Sequence, residues 1–286
     1  MINPILTNEI KLSVRTPKIT IVITVINGIL ACFGVFSLLN LVQNTSVIDF
    51  SQMLKLYTLL AYVEFAVLLL LIPMITSSSI AGERERQTLD MLLMTKIKPW
   101  DIVCGKLEAS LSSAFLVAVS SLPVLALIYI YGGMQIIDLL ALILFLLVAA
   151  VFVGSIGILC SVLIKRTTFA AIVSYFFIAG LLYGSYIAVR GLYHILWLPA
   201  IEKTTYVAPD IGKAIYILLA NPLITFFGLI NNQVGNSKAI MSFCGAYGNY
   251  ADDFVVKHWL LISILVQFLL STLILWIASR KINPLH

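Results

Sequence analysis

Long apolar segments, separated mostly by short polar connections, constrain this sequence of 286 residues more than any other feature. An α-helix rises about 1.5 Å per residue, so about 20 apolar residues cross the ~30 Å hydrocarbon core of a bilayer. Six segments reach that length: Ile19–Val42, Leu56–Ile80, Leu107–Tyr131, Ile136–Ile164, Thr168–Val189 and Trp259–Ala278. Hydrophobic residues make up 61% of the chain and its mean hydropathy is +1.05, more than a soluble core can cover. We therefore predict an all-α integral membrane protein with six transmembrane helices in one domain, residues 1–286.

A shorter apolar segment, Ala214–Ile230, is interrupted by Asn221 and Pro222. Proline lacks the N–H group that a continuous helix needs, so a helix breaks at this position. We predict a re-entrant or interfacial element rather than a seventh span. It would lie in the only long loop of the chain, residues 190–258, which we place on the outer side.

The distribution of basic residues predicts the orientation, because Lys and Arg concentrate in short cytoplasmic loops. With six spans and both termini inside, 12 of the 18 basic residues lie on the inner side: Lys11, Arg15, Lys18, Arg84, Arg86, Lys96, Lys98, Lys106, Lys165, Arg166, Arg280 and Lys281. A seventh crossing would move Arg280 and Lys281 outside. We therefore predict a multi-pass membrane protein with both termini in the cytoplasm. We further expect it in the plasma membrane of a prokaryotic cell.

Residues 1–18 carry an amphipathic pattern. Apolar side chains recur every four residues at Ile2, Leu6, Ile10 and Val14, with Lys11 and Arg15 on a neighbouring stripe. Such a helix lies along the inner membrane surface, with its cations toward the headgroups. The alternative is a disordered tail.

Small residues four positions apart mark two of the spans. They are Ala150 and Gly154 in one span, and Gly180, Gly184 and Ala188 in another. This spacing lets helices approach closely. We favour packing within the chain, with dimerisation of subunits as the alternative.

The densest cluster of charge, residues 83–90, follows the second span in a chain that is only 11% charged. Leu89, Leu92 and Leu93 share one helical face, and Lys98-Pro99 ends the pattern. We predict a short amphipathic helix, residues 83–98, that projects from the inner face of the membrane.

No residue set resembles an active site or a metal site. His194, His258 and His286 lie far apart in sequence, and the four cysteines are scattered singly. Gly105-Lys106 and Gly212-Lys213 lack the other residues of a phosphate-binding loop. We expect no enzymatic activity, no metal, no cofactor and no nucleic-acid binding; any nucleotide would be bound by another chain.

Glu64 is the only ionisable side chain well inside a predicted span. A carboxyl group within a membrane faces a cavity or a partner, because an unpaired charge there is costly. Two interpretations stay open. Glu64 is either a substrate contact or proton relay, or a packing element that is protonated or paired with a nearby tyrosine.

The connector resembles the signature of type-2 ATP-binding-cassette (ABC) exporter permeases. The resemblance rests on the run Glu83-Arg84-Glu85-Arg86-Gln87-Thr88-Leu89-Asp90-Met91-Leu92-Leu93-Met94-Thr95, followed by Ile102-Val103-Cys104-Gly105-Lys106. Gln87 stands where glycine is usual, and Lys96 where proline is usual, with Pro99 downstream. Together with the six spans, the amphipathic start and Asn221-Pro222, the resemblance covers essentially the whole chain.

The resemblance implies a transport subunit that exports a hydrophobic or amphipathic compound (a drug, a peptide or a lipid-like molecule) with ATP hydrolysed by a separate cytosolic ATPase. It implies a second permease half, in a homodimer or heterodimer. Residues 1–18 become a connecting elbow helix and residues 83–98 a coupling helix. The ATPase-docking residues would be Glu83, Arg84, Glu85, Arg86 and Asp90, with Leu89, Leu92 and Leu93 anchoring the coupling helix to the bundle.

Two other functions stay open from the residues alone. One is a proton-coupled secondary transporter that uses Glu64 as its coupling site. The other is a membrane assembly protein that transports nothing.

Overall fold

A computed structural model describes residues 17–44, 50–89, 98–132, 135–201, 210–250 and 252–282. Every regular element in these ranges is a helix. The α-helices are α1 Pro17–Asn44, α2 Phe50–Glu85, α3 Pro99–Gly132, α4 Ile136–Leu163, α5 Thr167–Ala179, α6 Ser185–Ile201, α7 Pro222–Gln233, α8 Ala239–Gly245, α9 Phe254–Lys257 and α10 Trp259–Ile282. A π-helical turn, Gly180–Gly184, joins α5 to α6, and a 3₁₀ helix, Gly212–Ala220, precedes α7.

The helices confirm an all-α membrane protein. Within the described ranges, five helices are long and apolar enough to cross a bilayer: Gln52–Glu85, Pro99–Ser121, Ile136–Leu163, Thr167–Leu198 and Trp259–Ile282. The 3₁₀ helix and α7 pass the same test as a pair and meet at 90°, as a broken span or a re-entrant loop. The bend lies at Asn221-Pro222, where the sequence predicts it. Helix α1 covers the first predicted span, and its stretch Asn27–Phe36 is apolar.

Several helix ends differ from the sequence-based boundaries. Helix α2 runs on to Glu85, so Glu83, Arg84 and Glu85 belong to it and not to a separate connector helix beginning at residue 83. Helix α3 begins at Pro99, eight residues before the predicted start at Leu107. Helix α6 extends to Ile201, which corrects the predicted start of the long loop at residue 190. Hydropathy marks the edge of the lipid, whereas a helix continues into water until a residue ends it.

Gln87 ends the α2 region. Its φ is 59°, a left-handed conformation that glycine adopts at little cost and that commonly follows a helix C-terminus. This is the position where the family signature has glycine. After the turn at Arg86 and Gln87, the chain is helical again at Leu89, which is buried. Residues 90–97 lie outside the described residues, as do residues 1–16 of the predicted elbow helix.

The chain divides into two compact units, Met1–Ser174 with Ser271–His286, and Tyr175–Leu270. In the first unit, α4 packs closely on α2 and α3 at two of its glycines. A Cβ atom on Gly157 would lie 2.0 Å from Thr76 Oγ1, and one on Gly154 would lie 2.8 Å from Leu107 Cδ1. The prediction that Ala150 and Gly154 mark packing within the chain is therefore confirmed. Gly180 and Gly184 differ, because a Cβ there meets no described atom within 4 Å.

In the second unit, the bend before α7 is held by buried polar side chains. Asn221 Oδ1 accepts the N–H of Leu223 at 2.9 Å, and Asn221 Nδ2 donates to the Leu182 carbonyl at 2.7 Å. Gln267 Nε2, from α10, donates to Thr225 Oγ1 and Ser263 Oγ, both at 3.0 Å. The bond to Leu223 satisfies an N–H group that the helix break leaves without a partner, and the bonds to Leu182 and Thr225 fix the bend to neighbouring helices.

We expect Gly157→Ala to lower the stability of the purified protein by about 1–3 kcal/mol, because its methyl group overlaps Thr76 in a packed contact. Thermal unfolding in detergent measures this loss. Gly184→Ala is the matched control and should leave the melting temperature nearly unchanged. Adding Thr76→Ala should restore much of the loss; equal melting temperatures for both alanine variants would contradict the close contact.

Candidate functional site at the charged end of the second helix

The residues predicted to dock a partner lie in and after the last turn of α2. Glu83, Arg84 and Glu85 close the helix, and Arg86 is exposed in the turn that follows. Leu89, predicted to anchor the connector, is buried in a core with Ile80 and Ile102. Asp90, Leu92 and Leu93 lie outside the described residues.

Glu83 binds Lys106 of α3. The Lys106 Nζ donates to Glu83 Oε1 at 2.5 Å, and the lysine side chain is only 5% exposed. Glu83 Oε2 is buried and has no hydrogen-bond partner among the described residues. A buried ammonium needs a partner of opposite charge, so this pair fixes the end of α2 to the start of α3.

Arg84 binds the end of α4. Its Nη1 donates to the carbonyl oxygen of Val162 at 3.0 Å. The last carbonyls of a helix have no partner within the helix and carry partial negative charge. The guanidinium of Arg84 therefore satisfies the C-terminus of α4.

Glu85 binds the start of α5. Glu85 Oε1 accepts the N–H of Thr167 at 3.0 Å, and Glu85 Oε2 accepts the Thr167 hydroxyl at 3.0 Å. The first N–H groups of a helix lack partners and attract negative charge. The carboxylate thus caps α5 from a different helix.

Three consecutive side chains therefore bind three different helices. We call this set the charged clamp: Glu83, Arg84 and Glu85 with their partners Lys106, Val162 and Thr167. Buried Ser161 reinforces it, since its Oγ accepts the N–H groups of Ile80 at 3.0 Å and Ala81 at 2.8 Å. The end of α2 is consequently tied to α3, α4 and α5, while Arg86, Gln87 and Thr88 remain exposed.

Sequence reasoning missed most of the clamp partners. Lys106 stood out as part of the Gly-Lys motif, but nothing in the sequence paired it with Glu83, 23 residues away. Val162 contributes a backbone carbonyl, which no side chain signals. Thr167 offered a weak signal, since it follows Lys165-Arg166 at the start of an apolar segment, where helix caps occur.

Glu64 lies in the middle of α2 and is 3% exposed. Ser121 Oγ of α3 lies 2.5 Å from Glu64 Oε1, while Glu64 Oε2 is buried without a hydrogen-bond partner in the described part of the chain. The other predicted polar element, Asn221-Pro222, lies in the second unit at the bend before α7. Across the described ranges, no group of three or more His, Cys, Asp and Glu residues could hold a metal ion.

A comparison with known protein families identifies the family of this chain. A family model described as ABC-2 family transporter protein matches residues 4–277. No curated protein sequence matches the chain significantly.

We expect Glu83→Gln alone to destabilise the protein by about 3 kcal/mol, because it leaves the charge of Lys106 buried without its partner. The double variant Glu83→Gln, Lys106→Met should lose less than the sum of the two single changes, as both charges are then removed. Thermal unfolding of the four proteins completes the cycle. Additive losses would mean that the pair does not interact.

Proposed function

Because this chain belongs to the ABC-2 family of transporter proteins, in which the membrane subunit works with an ABC ATPase, we propose that it is the permease subunit of an ABC exporter. In this proposal a separate cytosolic subunit hydrolyses the ATP. A second permease half, from a homodimer or a heterodimer, completes the transporter. A hydrophobic or amphipathic substrate is proposed from the family resemblance and from the apolar helices. The proposal also has both termini in the cytoplasm, which the distribution of positive charges supports.

The charged clamp is the observation that carries the proposal. A motor outside the membrane can move a permease only through a segment that resists bending away from the bundle. Side chains of three consecutive residues connect the end of α2 to α3, α4 and α5, at distances of 2.5 to 3.0 Å. Displacing this end would carry the three partner helices with it, as rigid-body rocking requires.

The clamp also divides the predicted docking residues into two groups. Glu83, Arg84 and Glu85 are engaged within the chain, so we propose that they transmit movement rather than meet the ATPase. Arg86 has an exposed side chain beyond the clamp. We propose that Arg86, together with Asp90 in the segment that follows, meets the ATPase.

We expect Arg86→Glu to weaken the binding of the ATPase subunit and to reduce export, because the reversed charge repels a surface that complements arginine. The measurement is co-purification of the two subunits, followed by vanadate-sensitive export from proteoliposomes. Lys238→Glu, an exposed charge reversal in the second unit, is the control and should change neither. Unaltered co-purification of the Arg86→Glu variant would count against docking at this turn.

A labelling experiment tests the proposed orientation. Single cysteines at Arg86 and Lys238 are introduced into a variant whose four native cysteines are replaced by serine or alanine. A membrane-impermeant maleimide should label position 238 in intact cells, and position 86 only after the cells are permeabilised. Labelling of position 86 in intact cells would show that this position faces outward, where a cytosolic ATPase cannot bind it, and would refute the proposed docking.

A proton-coupled secondary transporter is the remaining alternative for transport. It would need no ATPase, and its flux would collapse with the proton gradient while resisting vanadate. No contact among the described residues favours it over the family's own mode of transport.

A further inference from the structure

The carboxyl group of Glu64 and the hydroxyl group of Ser121 form a polar contact deep between α2 and α3. Glu64 lies 21 residues before the end of α2 at Glu85, which is about 31 Å along the helix. Both side chains are buried, and Ser121 Oγ lies 2.5 Å from Glu64 Oε1. The same Ser121 Oγ lies 2.8 Å from the carbonyl oxygen of Ala118.

Counting hydrogens decides the state of this contact. A serine hydroxyl has one proton, so it donates fully to one acceptor. Both neighbours of Ser121 Oγ are acceptors if Glu64 is ionised, and one of the two contacts then lacks a proton. If the carboxyl group is protonated, Glu64 donates to Ser121 and Ser121 donates to Ala118, and both contacts are hydrogen bonds.

We propose that Glu64 is a proton-binding site. Its carboxyl group stays protonated in the folded protein and donates a hydrogen bond to Ser121, which joins α2 to α3. The second oxygen supports this assignment. Glu64 Oε2 is buried without a hydrogen-bond partner among the described residues. Burying an oxygen without a hydrogen-bond partner costs less free energy when it is the carbonyl oxygen of a neutral carboxyl group than when it belongs to a charged carboxylate.

The described side chains on the neighbouring helices include no counter-ion close to Glu64. The ionisable residues of α3 whose side chains are described end at Glu108, 13 residues or about 20 Å before Ser121. They are Asp101, Cys104, Lys106 and Glu108. On α4, the ring of Phe145 packs beside that of Phe65, with centroids 6.1 Å apart. The ionisable residues of α4 are distant from Phe145 along the helix: Asp138 lies seven residues away and Cys160 lies fifteen residues away.

The remaining neighbours are equally far or neutral. On α2 itself, Lys55 lies nine residues from Glu64, about 13 Å along the helix, while Tyr57 and Tyr62 carry no charge at neutral pH. On α1, Cys32 is the ionisable residue whose side chain is described. On α10, Arg280 and Lys281 lie in the last turn, near the end of α2 rather than its middle. Among the side chains that the structure describes, none supplies a positive charge beside Glu64, and a proton can take that role.

The hydrogen bond that this proton makes is a second polar contact between α2 and α3. The first is the ion pair of Glu83 and Lys106, 19 residues or about 28 Å farther along α2. Separating the two helices at Glu64 would expose the carboxyl group and release its proton. The site thus makes the packing of α2 on α3 dependent on a bound proton.

Infrared spectroscopy tests the proposal on the purified full-length protein. At about pH 8, where an exposed glutamate is ionised, the wild-type protein should show the carbonyl band of a protonated carboxyl group. Glu64→Gln should lose that band, and Ser121→Ala should shift it, because the hydrogen bond is removed. Identical spectra for the wild type and Glu64→Gln would overturn the proposal.

Thermal stability provides the second measurement. The amide of Glu64→Gln can still donate to Ser121 Oγ, so this variant should melt within a few degrees of the wild type at about pH 8. Glu64→Ala cannot donate and should melt clearly lower. If Glu64→Gln and Glu64→Ala lowered the melting temperature equally, a hydrogen bond donated by Glu64 would be contradicted. This outcome does not depend on whether either variant is active in transport.

Discussion

Polar contacts and close backbone approach hold this bundle together, because apolar side chains gain little by leaving lipid for another helix. In the first unit, these contacts occur along α2 from its middle to its end. Glu64 meets Ser121, Thr76 meets Gly157, Ser161 accepts two backbone N–H groups, and the charged clamp closes the helix. The second unit uses the same principle, with amide and hydroxyl groups gathered around the break at Asn221.

The sequence predicts those features that lipid imposes locally. An apolar segment of sufficient length must be a helix in a bilayer, whatever its neighbours are, so the positions of the spans follow from composition alone. The break at Asn221-Pro222 was equally predictable, since proline lacks an N–H group. Helix ends were not: hydropathy falls at Ile80, but the helix continues until Gln87 adopts a positive φ.

Partners across the bundle escaped prediction for a different reason. Glu85 and Thr167 are 82 residues apart, and Arg84 binds a backbone carbonyl that every residue possesses. Small residues gave a partial signal. Gly154 does mark a close contact of α4 with α3 and α2, whereas Gly180 and Gly184, at the same spacing, touch no described neighbour. Spacing shows where helices can approach and not which ones do.

The order of charges at the end of α2 has an electrostatic explanation. Helix α4 ends at Leu163 and presents unpaired carbonyls, and α5 begins at Thr167 and presents unpaired N–H groups. The two termini carry opposite partial charges within a few residues of each other. A basic residue followed directly by an acidic one, Arg84 and then Glu85, matches that order. Exchanging them would bring each charge to the wrong terminus, so this alternation serves the fold of the chain before it serves any partner.

Rigidity is unequal along α2. Pro73 lacks the N–H group that would bond to the carbonyl of Leu69. Four hydroxyl groups that follow donate to carbonyls three or four residues earlier in the same helix: those of Thr76, Ser77, Ser78 and Ser79. Such bonds compete with the helical ladder and favour bending. From Ile80 onward, Ser161 and the charged clamp fix the helix to its neighbours. A force applied at Arg86 would therefore move residues 80–85 together with the start of α3, the end of α4 and the start of α5, and α2 would bend between Pro73 and Ser79.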